Sequence, residues 1–139
     1  MIRLIIWRGG RMSKNCHGVL YFHLVWSVKY RKKVITRQMG EQLREIFHGK
    51  ATACASKLVE FDHSDDHVHL LIKTRPETAL PTLVNHLKGY SAYQINRSYG
   101  AKFLHWQKGY GAFTVSPSGV PKVAAYIRNQ KRHHKYVDP

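Results

Sequence analysis

His67 and His69 are separated by one apolar residue within Asp66-His67-Val68-His69-Leu70-Leu71-Ile72, a run that reads as a buried strand. Residues at i and i+2 of a strand point to the same face, so the two imidazoles stand side by side. Neutral imidazole nitrogen binds many divalent metals, and this spacing is what a metal site needs. Taken alone, the pattern also fits two polar residues lining the wet face of a half-buried strand. A second pair near the C-terminus adds to it: Tyr126 and Gln130, four residues apart on a helical stretch. At 3.6 residues per turn they lie roughly 40° apart in azimuth and about 6 Å apart along the axis. One helix face therefore presents a phenol and an amide oxygen together, although the pair alone fits slightly better a Tyr126 packed on the domain and a solvated Gln130. The apolar stripe of that helix runs through Val120, Val123, Ala124 and Ile127, so Tyr126 is displaced from the positions the core needs.

A phenol that attacks phosphorus forms a covalent phosphotyrosine and splits one hard displacement into two easier ones. Free tyrosine, with a pKa of roughly 10, is a poor nucleophile at neutral pH. A metal on the scissile phosphate compensates by neutralising charge and polarising the ester. His67, His69 and Gln130 supply three ligands of mixed nitrogen and oxygen type, which suits Mg²⁺ or Mn²⁺. The expected chemistry is phosphoryl transfer.

Charge points to the substrate. The 139-residue chain carries 23 Lys+Arg against 8 Asp+Glu, a formal charge of +15. Such a field attracts polyanions, nucleic acid first and anionic membrane second. No apolar run approaches the roughly 20 residues of a membrane span, so no membrane partner is expected. The cluster Lys29-Tyr30-Arg31-Lys32-Lys33 is the best phosphate-contact candidate outside the site. Lys88, Arg97 and Lys102 interleave with Tyr90, Tyr93 and Tyr99 as in single-strand binders, although helix tyrosines also serve as half-buried core. Cys16 and Cys54 form no CxxC pattern, and Cys54 is expected to pack as a small apolar group. That usage indicates a reducing, cytoplasmic setting.

The elements that must position these residues follow from periodicity. Val19 to Lys29 is rich in β-formers. Met39, Leu43, Ile46, Phe47 and Cys54 recur at helical spacing, predicting a helix from Thr36 to about Lys57. Leu58 to Asp62 and His67 to Lys73 read as a hairpin around Asp65-Asp66. Pro81 suits the first turn of a second helix with Leu83, Val84, Leu87, Tyr90 and Ile95 on its apolar face, ended by Gly100. Gly111 to Val115 is a fourth strand, and Ser116 or Ser118 can cap the last helix. The order β-α-β-β-α-β-α is that of an α+β, ferredoxin-like sandwich with a four-stranded antiparallel sheet, plus a surplus C-terminal helix carrying the tyrosine. Residues 1–15 read as an extension or disordered N-terminus, and 16–139 as a single domain.

The ordered set of motifs resembles a known family. His23-Leu24-Val25-Trp26 with Lys29-Tyr30-Arg31-Lys32-Lys33, Asp66-His67-Val68-His69-Leu70-Leu71, Trp106-Gln107-Lys108-Gly109-Tyr110-Gly111 and Tyr126-Ile127-Arg128-Asn129-Gln130 are similar to the single-tyrosine HUH transposases of the insertion sequence 200/605 group. The likeness runs from about His17 through nearly all of the chain. One departure is Asp65, where the family often carries proline. The resemblance implies a bacterial or archaeal homodimer that cuts and rejoins single-stranded DNA bearing hairpins at element ends. It implies that Tyr126 forms a 5′-phosphotyrosine and releases a 3′-OH, with His67, His69 and Gln130 on the metal. It also implies that each site takes its histidines from one subunit and its tyrosine helix from the other. Arg128, on the same helix as Tyr126, is a further DNA-contact candidate. Two other readings fit the same residues: a domesticated relative that cuts palindromic host repeats, and a non-catalytic single-strand-binding protein.

Overall fold

The computed structural model describes residues 17–129. The expected extension over 1–15, Cys16, Gln130 and the basic tail after it lie outside the described residues. Strands β1 (Leu20–Ser27), β2 (Lys57–His63), β3 (His67–Thr74) and β4 (Gly111–Val115) form one sheet in the order β2-β3-β1-β4. All three pairings are antiparallel. Helices α1 (Arg37–Ala53) and α2 (Leu80–Tyr99) complete the expected β-α-β-β-α-β unit, and α3 (Val120–Arg128) follows β4 after a 3₁₀ turn at Pro117–Gly119.

Period-two alternation assigns the two faces of the sheet. Leu24, Trp26 and Val28 at β1 and Val68, Leu70 and Ile72 of β3 belong to the main core, with Leu43 and Phe47 of α1 and Leu83, Leu87 and Ile95 of α2. The opposite face places Leu71 of β3 in a smaller core with Ala124 and Ile127 of α3, edged by Tyr21, Val59, Val115, Val120 and Val123. Strand β3 is thus covered on both faces, which is why it reads as a nearly continuous apolar run. The stripe read on the last helix is the one that docks, and Tyr126 stands off it with 39% of its surface exposed.

Local chemistry sets the ends of the helices. Thr36 caps α1, its hydroxyl accepting from the Met39 N–H at 3.1 Å. The sequence reading carries this helix to Lys57, whereas it stops at Ala53. Ala55 takes a left-handed φ of 56°, and the Ser56 N–H reaches back to the Ala51 carbonyl at 2.8 Å, turning the chain into β2. Gly100 closes α2 in the left-handed conformation, φ 67°. Ser116 caps the 3₁₀ turn before α3, accepting from the Gly119 N–H at 3.2 Å. Cys54 packs against the main core as expected. Among the described residues no helix is long and apolar enough to cross a membrane.

Candidate active site

β3 carries His67 and His69 on the face that α3 partly covers, both about 5% exposed. Their rings meet edge to face with centroids 5.0 Å apart, so the i, i+2 expectation holds. Each ring is held through its Nδ1. For His67 the partners are Asp66 Oδ1 and Ser64 Oγ, both at 2.7 Å. For His69 the partner is His23 Nε2 at 3.0 Å. A ligating imidazole commonly engages its second nitrogen in this way, which fixes tautomer and ring orientation. With Nδ1 engaged on both rings, Nε2 is the nitrogen each could offer to a metal, and the chemistry of the pair fits a divalent ion. Among the described residues no group of three or more His, Cys, Asp or Glu completes such a site, and the expected third ligand, Gln130, lies outside them.

Asp66 is the electrostatic centre of this arrangement. Burial by itself would raise its pKa. Hydrogen bonds from His67, Arg31 and Ser64, with the Arg31 charge added, outweigh burial and hold the carboxyl at about 2. Arg31 Nε lies 3.0 Å from Asp66 Oδ2. The basic cluster expected to contact phosphate is therefore tied to the histidine strand. Arg31 follows Tyr30 in a turn where both residues adopt left-handed φ, 53° and 61°. Lys29, Lys32 and Lys33 are exposed around it, and the Tyr30 side chain stands out at 77% exposure.

Tyr126 is brought to the histidines by α3. Its ring centroid lies 6.3 Å from His69 and 6.2 Å from His23, edge-on to both. In the single chain the tyrosine helix therefore rests on its own sheet. Arg128 donates to Glu60 Oε2 of β2 at 2.7 Å, which pins the end of α3. Lys88, an expected DNA contact, donates to the Gln107 and Gly109 carbonyls at 2.7 and 2.8 Å. It braces the loop before β4, and burial pushes its pKa down. Tyr90, Tyr93 and Tyr99 are each more than one-third exposed, with Lys50 over the Tyr90 ring.

His23, Ser64 and Asp66 join the site although periodicity and spacing give none of them a chemical role there. Burial lowers the pKa of His23, and its ring stacks on His69 with centroids 5.2 Å apart. Besides its place in the His23-Leu24-Val25-Trp26 motif, its signal in the sequence is a polar residue at an alternating position of a mostly apolar strand. The partner it meets depends on the β1–β3 register, in which Val25 faces His69 and His23 faces Leu71.

The sequence and the fold are similar to those of known proteins. The family model described as "Transposase IS200 like" matches residues 16–130. The ISDra2 transposase TnpA of Deinococcus radiodurans is 31% identical over 128 residues, covering 84% of this chain and 90% of that protein. The transposase for insertion sequence element IS200 of Salmonella typhimurium is 27% identical over 124 residues, covering 82% and 78%. A crystal structure of a Deinococcus radiodurans R1 protein described as a transposase superposes with a TM-score of 0.68 at 29% identity, covering 89% of this chain and 98% of that one. A REP-associated tyrosine transposase bound to a REP hairpin superposes with a TM-score of 0.65, covering 85% and 70%. At 12% identity it shows the fold alone. With a family match across nearly the whole sheet-and-helix unit and a phenol resting beside two strand histidines, the chain belongs to the IS200-like transposase family.

Proposed function

We propose that this protein cuts and rejoins single-stranded DNA at insertion-sequence ends by metal-dependent transesterification through Tyr126. The observation that carries the reading is the meeting of Tyr126 with His69 and His23 at ring separations near 6 Å. A side chain outside the apolar stripe, 39% exposed and edge-on to two imidazole rings, supports a chemical role.

The Tyr126 hydroxyl attacks the scissile phosphorus, and its proton passes to solvent or a solvent base. The P–O3′ bond breaks, the departing oxygen takes up a proton as a 3′-OH, and the 5′ phosphate stays on the phenol. Rejoining is the reverse attack by a 3′-OH on the phosphotyrosine, which releases the tyrosine. His67, His69 and Gln130 would hold Mg²⁺ or Mn²⁺, which when bound neutralises charge on the phosphate and polarises the ester. Asp66 and Ser64 hold His67 at Nδ1, and His23 holds His69. Exposed Lys29, Lys32 and Lys33 bind the strand by phosphate neutralisation.

Hairpin-bearing DNA as the partner is supported by the protein of the same fold bound to a REP hairpin. A homodimer with shared sites is part of the proposal. The short 3₁₀ link at Pro117–Gly119 and the small core under α3 make that helix a unit that a neighbouring sheet can accept. The test is incubation of labelled single-stranded element ends with protein and Mn²⁺, followed by denaturing gels. The wild type should yield a covalent adduct and Tyr126→Phe should yield none. An adduct in the Phe variant would assign the nucleophile elsewhere.

A further inference from the structure

We propose that His23 is a positioning residue for the metal site. It accepts the Nδ1 proton of His69 and thereby commits His69 to the tautomer whose Nε2 lone pair can ligate. The inference rests on the metal reading of the His67–His69 pair and adds to it a residue from a different strand.

The geometry is specific. His23 Nε2 lies 3.0 Å from His69 Nδ1, and the planes of the two rings are 27° apart. The contact is diagonal across the β1–β3 ladder, since Val25 is the direct partner of His69 and Leu71 of His23. Side chains two positions along a neighbouring strand are within reach of long or ring side chains. Only one proton can lie between the two nitrogens. If His69 Nδ1 carries it, Nε2 holds a lone pair and ligates. If His23 Nε2 carries it, His69 takes the opposite tautomer, with its proton on the nitrogen a metal needs. The productive state is therefore His23 as acceptor.

The rest of the site supports this division of labour. The neighbouring ligand His67 also has its Nδ1 engaged, by the Asp66 carboxylate and the Ser64 hydroxyl. Both rings are thus oriented through the same atom, one by an anion and the other by a neutral imidazole. The His23 ring is itself bracketed, with Phe113 at 6.1 Å and Tyr126 at 6.2 Å between centroids. These contacts restrict its rotation and keep Nε2 directed at His69.

The test uses the full chain without DNA and titrates Mn²⁺ by calorimetry. Imidazole ¹⁵N spectra of the metal-free protein report the tautomer of His69. His23→Phe keeps the ring shape and removes the acceptor. His23→Gln keeps an amide oxygen able to accept. Outer-shell partners of ligating histidines typically account for about 10–100-fold in metal affinity. The Phe variant should lose about that much and populate the Nε2–H tautomer of His69, whereas the Gln variant should bind within a few-fold of wild type. Wild-type affinity and an unchanged His69 tautomer in the Phe variant would overturn the proposal. So would a wild-type His69 protonated at Nε2, a readout that holds even where a variant fails to fold. Should the wild type bind no Mn²⁺ at all, the metal reading fails, and the ¹⁵N spectra still decide whether His23 sets the tautomer.

Discussion

Substituting alanine at two glycines of the same helix should change stability in opposite directions. Gly40 and Gly49 both lie in α1. A Cβ at Gly49 meets nothing within 4 Å, whereas a Cβ at Gly40 would fall inside the ring of His63, against Nε2, Cδ2 and Cε1. In a helix interior, replacing glycine by alanine is worth roughly 1 kcal/mol, so Gly49→Ala should stabilise by about that amount. At Gly40 the same gain opposes overpacking, which costs about 1–3 kcal/mol. The overlap involves the ring itself, and His63 is only 7% exposed, with its Nδ1 2.8 Å from the Ser64 carbonyl oxygen and its ring beside Phe61. A cost near the upper end, about 3 kcal/mol, leaves Gly40→Ala net destabilising by about 2 kcal/mol. Urea unfolding at constant m-value measures both. The double variant Gly40→Ala/His63→Ala should recover part of the loss, because removing the ring makes room for the methyl group. The effect should also reach the site, since Ser64 holds His67 Nδ1 at 2.7 Å; Mn²⁺ affinity should fall in Gly40→Ala and not in Gly49→Ala. Equal stability of the two single variants would refute the reasoning.

His67→Ala or His69→Ala should abolish Mn²⁺-dependent cleavage while leaving most DNA affinity, and cleavage by the wild type in excess EDTA would contradict this. DNA binding should weaken steeply with salt; each phosphate contact on single strands contributes a log–log slope of about −0.7, so converting Lys29, Lys32 and Lys33 to glutamine should flatten the slope by about 2. Asp66 is held at about 2 against an ordinary 3.8, so its contribution to stability is present above 3.8 and is lost as pH falls toward 2. Asp66→Asn should accordingly reduce the acid dependence of unfolding in that window, read by denaturant melts at stepped pH. Verified heterodimers of His67→Ala with Tyr126→Phe subunits should regain cleavage, because one shared site then holds intact histidines and an intact tyrosine; complete inactivity would place catalysis within each chain.

Much of the layout is local chemistry and was legible in the residues. The His67–His69 pair needs only strand periodicity, Gly100 ends a helix by its backbone freedom, and the place of Tyr126 off the Val120–Val123–Ala124–Ile127 stripe follows from helical periodicity. The order of elements limits the fold to a split βαβ sandwich, since each amphipathic face must be covered. What the sequence could not determine is everything that depends on register and on which long side chain finds which partner. His23 meets His69 because β1 pairs with β3 at one offset, and 46 residues separate them along the chain. Lys88 and Arg128 read as phosphate contacts because a lysine or arginine carries its charge wherever it lies; that the first also bonds loop carbonyls and the second Glu60 is decided by the fold. Asp66 looked like a turn residue, and only the closing of the hairpin against the Lys29–Arg31 turn made it the shared anchor of His67 and Arg31. Periodicity is written into the chain one residue at a time, whereas hydrogen-bond partners across a sheet are settled only when the whole core packs.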